Sequence, residues 1–333
     1  MFRARRSLIF DIIGVVQDHS PEIEHRPQMM ECSCGRQTPA DRVACIYCGS
    51  ELVRPAGSTT PLKINFQEFE TWEKGVVTVA VGCSNEVDIE QAAAVIPLSA
   101  DELDRLCRCG FPIPIARLRT SAEAEAVADR LAAANIRCIA IDEARLLPEI
   151  EPVRLRKIEI RTDGPVFVTF NTNENICVAW SDITHVVYGT IFTSQLDSLE
   201  KRVRGGKRKA IDGTAMTNDE DVLDIYITGH REGFRILPAG MDFSFLAGEM
   251  SLLAADNMRR TLDLLSDRST NARINSAYRE IRGLLGHTWP ATRSKDSKGT
   301  SGGMISGRRF SSSLTTSNAA QFLRFSRLQS LDL

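Results

Sequence analysis

A chain of 333 residues, 43% apolar and 25% charged, has the make-up of an ordinary globular protein but exceeds one ordinary core, so two or three domains are expected. The formal net charge of −2 excludes a bulk field that would recruit nucleic acid or an anionic membrane. No run reaches the roughly 18 apolar residues of a membrane-spanning helix.

Residues 1–28 begin with Arg3, Arg5 and Arg6 ahead of an apolar stretch. Asp11 interrupts that stretch and no small-residue cleavage site follows, so a poorly ordered extension is expected rather than an export signal. The expected location is the cytoplasm.

Residues 29–53 carry the strongest motif. Cys32-x-Cys34-Gly35 is followed by Cys45-x-x-Cys48-Gly49, two tight turns that can each offer two thiolates to one tetrahedral ion. A glycine after the second cysteine of each pair lets the backbone turn back toward sulfur. Disulfides suit exported chains, and a redox pair would need one reactive Cys-x-x-Cys beside a strand–helix unit. The expected ligands are Cys32, Cys34, Cys45 and Cys48, and the expected cofactor is a structural Zn2+ ion with a filled shell. Residues 32–49 resemble the short zinc ribbons found at the ends of many bacterial multi-domain proteins, although the first pair has one intervening residue where that family usually has two. The whole chain resembles bacterial proteins that join such a ribbon to α/β and β-rich domains.

Residues 54–74 begin with a Pro/Gly/Ser/Thr-rich run and read as a linker. A small α/β domain, ferredoxin-like in type, is expected over 75–149: strands at "VVTVAVGC", "PIPIARL" and "IRCIAID", with helices announced by Ser99/Glu102 and Thr120/Glu123. Its turns hold no glycine-rich phosphate loop. Cys107 and Cys109 form a second Cys-x-Cys-Gly, but no other cysteine pair faces it in sequence.

Short strands then dominate: "VRLRKIEI", "PVFVTF", "ICVAW", "ITHVVYGTIF", a long polar insertion, "VLDIYIT" and "FRIL". One long helix is expected from about Asp242, with Leu246, Met250, Leu253, Met258, Leu262 and Leu265 on its apolar face. Another carries Ile274, Tyr278, Ile281 and Leu285. Residues 150–290 are therefore expected as an antiparallel β domain closed by a long helix, pleckstrin-homology-like in type. Residues 291–317, rich in Ser, Gly and Thr, read as a flexible linker, and 318–333 as a short C-terminal helix or docking motif. The expected class is a multi-domain α+β protein with a flexible C-terminal tail.

Two segments besides the ribbon are candidate binding elements. Lys201, Arg202, Arg204, Lys207, Arg208 and Lys209 form a basic run that could meet anions, although no aromatic interleaves it and an acidic stretch follows. Phe322, Phe325 and Leu328, with Arg324 and Arg327 interleaved, are expected to bury against a protein partner or against their own domain. Among the five histidines, His185 alternates within a strand and reads as packed or surface. No metalloprotease, serine-hydrolase or nucleotide-loop signature is present. The leading expectation is a non-enzymatic cytoplasmic adaptor or regulatory protein that makes protein–protein contacts. The alternatives are a nucleic-acid-associated protein using the ribbon and residues 201–209, and an enzyme whose active site no motif announces. A membrane-surface role is disfavoured.

Overall fold

The structure, a computed structural model, describes residues 28–50, 52, 64, 66, 69, 73–84, 86–147, 151–202, 208–300 and 309–333. All but Gln28 of the N-terminal extension, and most of the 54–74 linker, lie outside the described residues. The fold is mixed α+β, mostly strands with several helices. The chain divides into two compact units, Met1–Lys63 and Ile64–Leu333.

In the first unit, β1 (Met29–Glu31) and β2 (Gln37–Pro39) form an antiparallel hairpin, with Glu31 opposite Gln37. Its apolar core is very small: Cys32, Cys45 and Leu52, with Met30 packed beside them.

The second unit begins with β3 (Val76–Cys83), which is flanked on both sides by antiparallel partners, β4 (Ile113–Leu118) and β5 (Ile136–Asp142). Between β3 and β4 run α1 (Ile89–Ala93) and α2 (Ala100–Cys107). Helix α2 starts at a complete capping box, in which Ser99 and Glu102 each satisfy the other's backbone N–H. Helix α3 (Ser121–Ala132) crosses from β4 to β5 and buries Ala124, Val127 and Leu131. The sheet has three strands.

A nine-stranded sheet follows. It contains β6 (Val153–Ile160), β7 (Pro165–Thr169), β8 (Asn175–Cys177), β9 (Ile183–Arg202), β10 (Arg208–Ile227) and β11 (His230–Ile236). Its pairing is mainly antiparallel, but β11 meets β6 in parallel, and β12 (Arg273–Asn275) lies parallel to β9. The expected long helix is shorter: α4 spans Ala254–Arg268, and residues 244–249 form a tighter turn interrupted at Ala247. Ser251 ends that turn, because its N–H and C=O are both held by the Asn257 amide, and Met250 and Leu253 stay exposed. The second expected helix shrinks to α5 (Tyr278–Ile281), since Ile274 belongs to β12. No helix among the described residues is long and apolar enough to cross a membrane.

The expected flexible linker at 291–317 is corrected. Thr292–Thr300 (β13) and Arg309–Ser317 (β14) form a hairpin, and β14 continues the sheet by pairing with β9 from Thr193 to Lys201. Where its side chains are described, this outer blade is mostly exposed or half-buried, so it carries no apolar alternation. The chain ends in α6 (Ala319–Gln329).

The expected boundary near residue 150 does not separate two cores. β9 and β10 are buried on both faces: Val186, Leu223 and Ile225 face α4, β6 and β7, whereas Val187, Val222 and Tyr226 join the core of β3–β5, α5 and α6. At the second face, Gly189 admits the rings of Tyr278 and Phe322. A Cβ on Gly189 would lie 2.5 Å from Phe322 and 2.8 Å from Tyr278. Gly189→Ala is therefore expected to destabilise this unit by about 1–3 kcal/mol. The check is a lower denaturant midpoint at unchanged slope; an unchanged midpoint would mean that the rings move aside freely.

Candidate metal centre

The four ribbon cysteines come together although their spacings differ. Beyond β1, the Gly35 N–H donates to the Cys32 carbonyl at 2.8 Å, and the Gly49 N–H donates to the Cys45 carbonyl at 2.9 Å. Both glycines have positive φ, +77° and +73°, which an L side chain rarely adopts. Each knuckle then closes by a further backbone bond, Cys32 N–H to Arg36 and Cys45 N–H to Ser50. The missing residue of the first pair shortens its turn and still delivers both sulfurs to the cluster.

Cys32 Sγ lies 3.5 Å from Cys48 Sγ, and Cys34 Sγ lies 3.8 Å from Cys45 Sγ. All four sulfurs lie within 4.8 Å of one another, an arrangement that can hold one metal ion. Polar neighbours favour the thiolate form at Cys48 and Cys45, whereas at Cys34 burial and the neighbouring sulfurs outweigh the Arg36 backbone bond and push the thiol up to about 11. The Ser50 hydroxyl, 3.3 Å from Cys48 Sγ, and the Ser50 backbone bring the Cys48 thiol down to about 6. The Tyr47 N–H donates to Cys45 Sγ at 3.4 Å and lowers that thiol.

A contact surface that the motif reading passed over sits on the second knuckle. Ile46 and Tyr47, between the ligating cysteines, are 54% and 55% exposed. The Arg36 guanidinium from the first knuckle lies over the Tyr47 ring, 4.9 Å from its centroid.

The other candidates fare differently. No second group of three metal-ligating side chains assembles among the described residues. Cys107 instead has its thiol pushed up by the neighbouring Cys83 thiol and by burial, and Cys109 Sγ donates to the Arg105 carbonyl at 3.4 Å. The basic run straddles a hairpin tip rather than filling a long loop, because Arg202 pairs with Arg208 and Lys201 with Lys209. Arg204 and Lys207 lie outside the described residues, as do the side chains of the other four.

Of the two places expected for the tail residues, the structure shows burial against their own domain. Phe322, Phe325 and Leu328 are fully buried in the core of their own unit, where Tyr278 packs against both phenylalanine rings. They are not available to a partner. Arg324 and Arg327, which gave the segment its polar look, are buried too: Arg324 lies 3.6 Å from Glu143, and Arg327 donates to the Glu232 carbonyl at 2.7 Å.

These elements define a mixed α+β protein with a four-cysteine, metal-competent module. No known protein family matches the chain, and no solved structure matches it. A curated protein, Helicase SWR1 of Mycosarcoma maydis, is 30% identical to it over 156 residues, 44% of this chain. The match covers 8% of that helicase, so the chain spans less than a tenth of the relative's length.

Proposed function

We propose that the protein is a non-enzymatic, cytoplasmic adaptor or regulatory protein whose N-terminal module is a ribbon folded by a structural zinc ion. The thiol cluster supports this reading. Sulfurs about 2.3 Å from a tetrahedral zinc stand about 3.8 Å apart, and two of the sulfur pairs lie at 3.5 and 3.8 Å. Cys32, Cys34, Cys45 and Cys48 would fill the shell, leaving no position for water or substrate, so the ion folds the module and catalyses nothing. Its fixed geometry presents the exposed Ile46 and Tyr47 to a protein partner. On the same reading, α4 closes the β domain in pleckstrin-homology-like fashion, and the second unit serves as scaffold.

The test is the double variant Ile46→Glu/Tyr47→Glu in the full chain, compared with wild type for metal content and for proteins recovered from native extract. The expected variant keeps its metal and loses those partners. Retention of the same partners would overturn the ribbon as the contact surface.

Nucleic-acid association is the second reading, favoured by the Arg36–Tyr47 stack and by the partial likeness to a helicase. It would use Tyr47 to stack a base, with phosphates near Arg36 and the 201–209 cations. It expects single-stranded DNA to bind with a steep salt dependence, and Tyr47→Ala to cost about 1–3 kcal/mol. No binding at low salt would dispose of it.

A further inference from the structure

The second unit contains a built cavity that no motif announces. It has a volume of about 360 Å³ and lies where β12, the end of α6 and the turn before β4 meet. That volume falls within the range of small-molecule sites, roughly 300–1,000 Å³. His185 of β9 lines it, only 7% exposed, and neither ring nitrogen has a hydrogen-bond partner among the described residues. A ring that keeps one donor and one acceptor unmatched in a buried place points to a ligand that matches them.

The neighbours of His185 narrow the ligand. On one side of β9, Tyr226 is its register partner, but that hydroxyl is committed to Ser326 Oγ at 2.8 Å. On the other side, the register partner is Arg273 of β12, which also lines the cavity. Burial, reinforced by the Arg273 charge, lowers the His185 pKa and favours a neutral ring. Asp332 supplies an opposing charge from the exposed end of the chain.

The far wall is fixed. Asn275 donates to Gln329 Oε1 at 3.1 Å, and Gln329 donates to the Pro112 carbonyl at 2.8 Å, so these amides brace the pocket. Phe111, held edge-on against Phe325, and Leu331 supply apolar surface. One cation, one neutral ring and a nearby acid suit a monoanion and disfavour a dianion such as phosphate.

We propose that this cavity binds a small monocarboxylate with a short apolar chain, its carboxylate held between the His185 ring N–H and the Arg273 guanidinium, its chain against Phe111 and Leu331.

The experiment follows the histidine ring nitrogens of the full-length protein by NMR during titration with hexanoate. Hexanamide serves as the neutral analogue and sodium chloride as the ionic-strength control. Hexanoate is expected to shift the His185 ring resonances, while hexanamide and sodium chloride leave them in place. Arg273→Gln, an exposed position that should not disturb folding, is expected to weaken hexanoate by about tenfold or more, whereas Asp332→Asn tightens it. No His185 shift with hexanoate, an equal shift with hexanamide, or an unchanged affinity in Arg273→Gln would each overturn the assignment.

Discussion

Replacing Glu143 with alanine is expected to destabilise the Ile64–Leu333 unit by about 3–5 kcal/mol. The Glu143 side chain is completely buried just beyond β5 and gathers groups from distant parts of the chain. It accepts the Gly75 N–H at 2.9 Å, Arg117 Nη2 at 2.6 Å and the Trp289 indole N–H at 2.9 Å, and Arg324 of α6 lies 3.6 Å away. Truncation would leave Arg117 and Arg324, both nearly buried, without their counter-charge. It would also strand the indole N–H of a fully buried tryptophan. Glu143→Gln keeps an acceptor for Trp289 and removes the charge, so it is expected to cost less than alanine but to remain clearly destabilising. Denaturant unfolding of both variants supplies the check. A loss below about 1 kcal/mol for Glu143→Ala would place the cost in the range of an exposed ion pair and contradict the dry cluster described above.

The second large effect is expected from metal removal. The ribbon's apolar core consists of two of the cysteines, Leu52 and Met30, too little to offset the entropy of ordering its backbone. Zinc binding of about 10–16 kcal/mol, the range of isolated fingers, would supply the deficit. Chelation, or Cys45→Ser, is therefore expected to unfold the ribbon and leave the second unit cooperative, since that unit has large apolar cores of its own. Amide hydrogen exchange resolves the two outcomes: protection lost over residues 29–52 only, or throughout the chain. Loss of protection in β3–β5 as well would show that the two units fold together.

Several elements were legible in the sequence because local chemistry and tertiary packing agree. Val76–Cys83 and Val153–Ile160 are read to the residue, since strand-forming runs end at clear turns. Ser99 and Thr120 mark the starts of α2 and α3 because their side chains accept the N–H three residues on. The cysteine cluster was legible because glycine follows each pair.

The errors share a physical origin. Where their side chains are described, the outer halves of β9 and β10, with β13 and β14, are mostly exposed or half-buried, so a solvated blade looks like loop and linker. α4 is shorter than expected because apolar spacing before residue 254 imitates a helix, while the Ser251–Asn257 bonds hold the chain out of helix ahead of Ala254. α6 looked like a docking segment because Arg324 and Arg327 are polar in sequence but buried in the fold. His185 gave no signal, because its significance depends on Arg273, which only the β12–β9 pairing brings alongside.

The central claim is that Cys32, Cys34, Cys45 and Cys48 hold a structural zinc ion, and X-ray absorption at the zinc edge on the purified full chain tests it most directly. The expected result is a single zinc ion per chain, surrounded only by sulfur at about 2.3 Å and absent from Cys45→Ser. A metal-free chain that still protects its ribbon amides, or a shell containing oxygen or nitrogen, would contradict it.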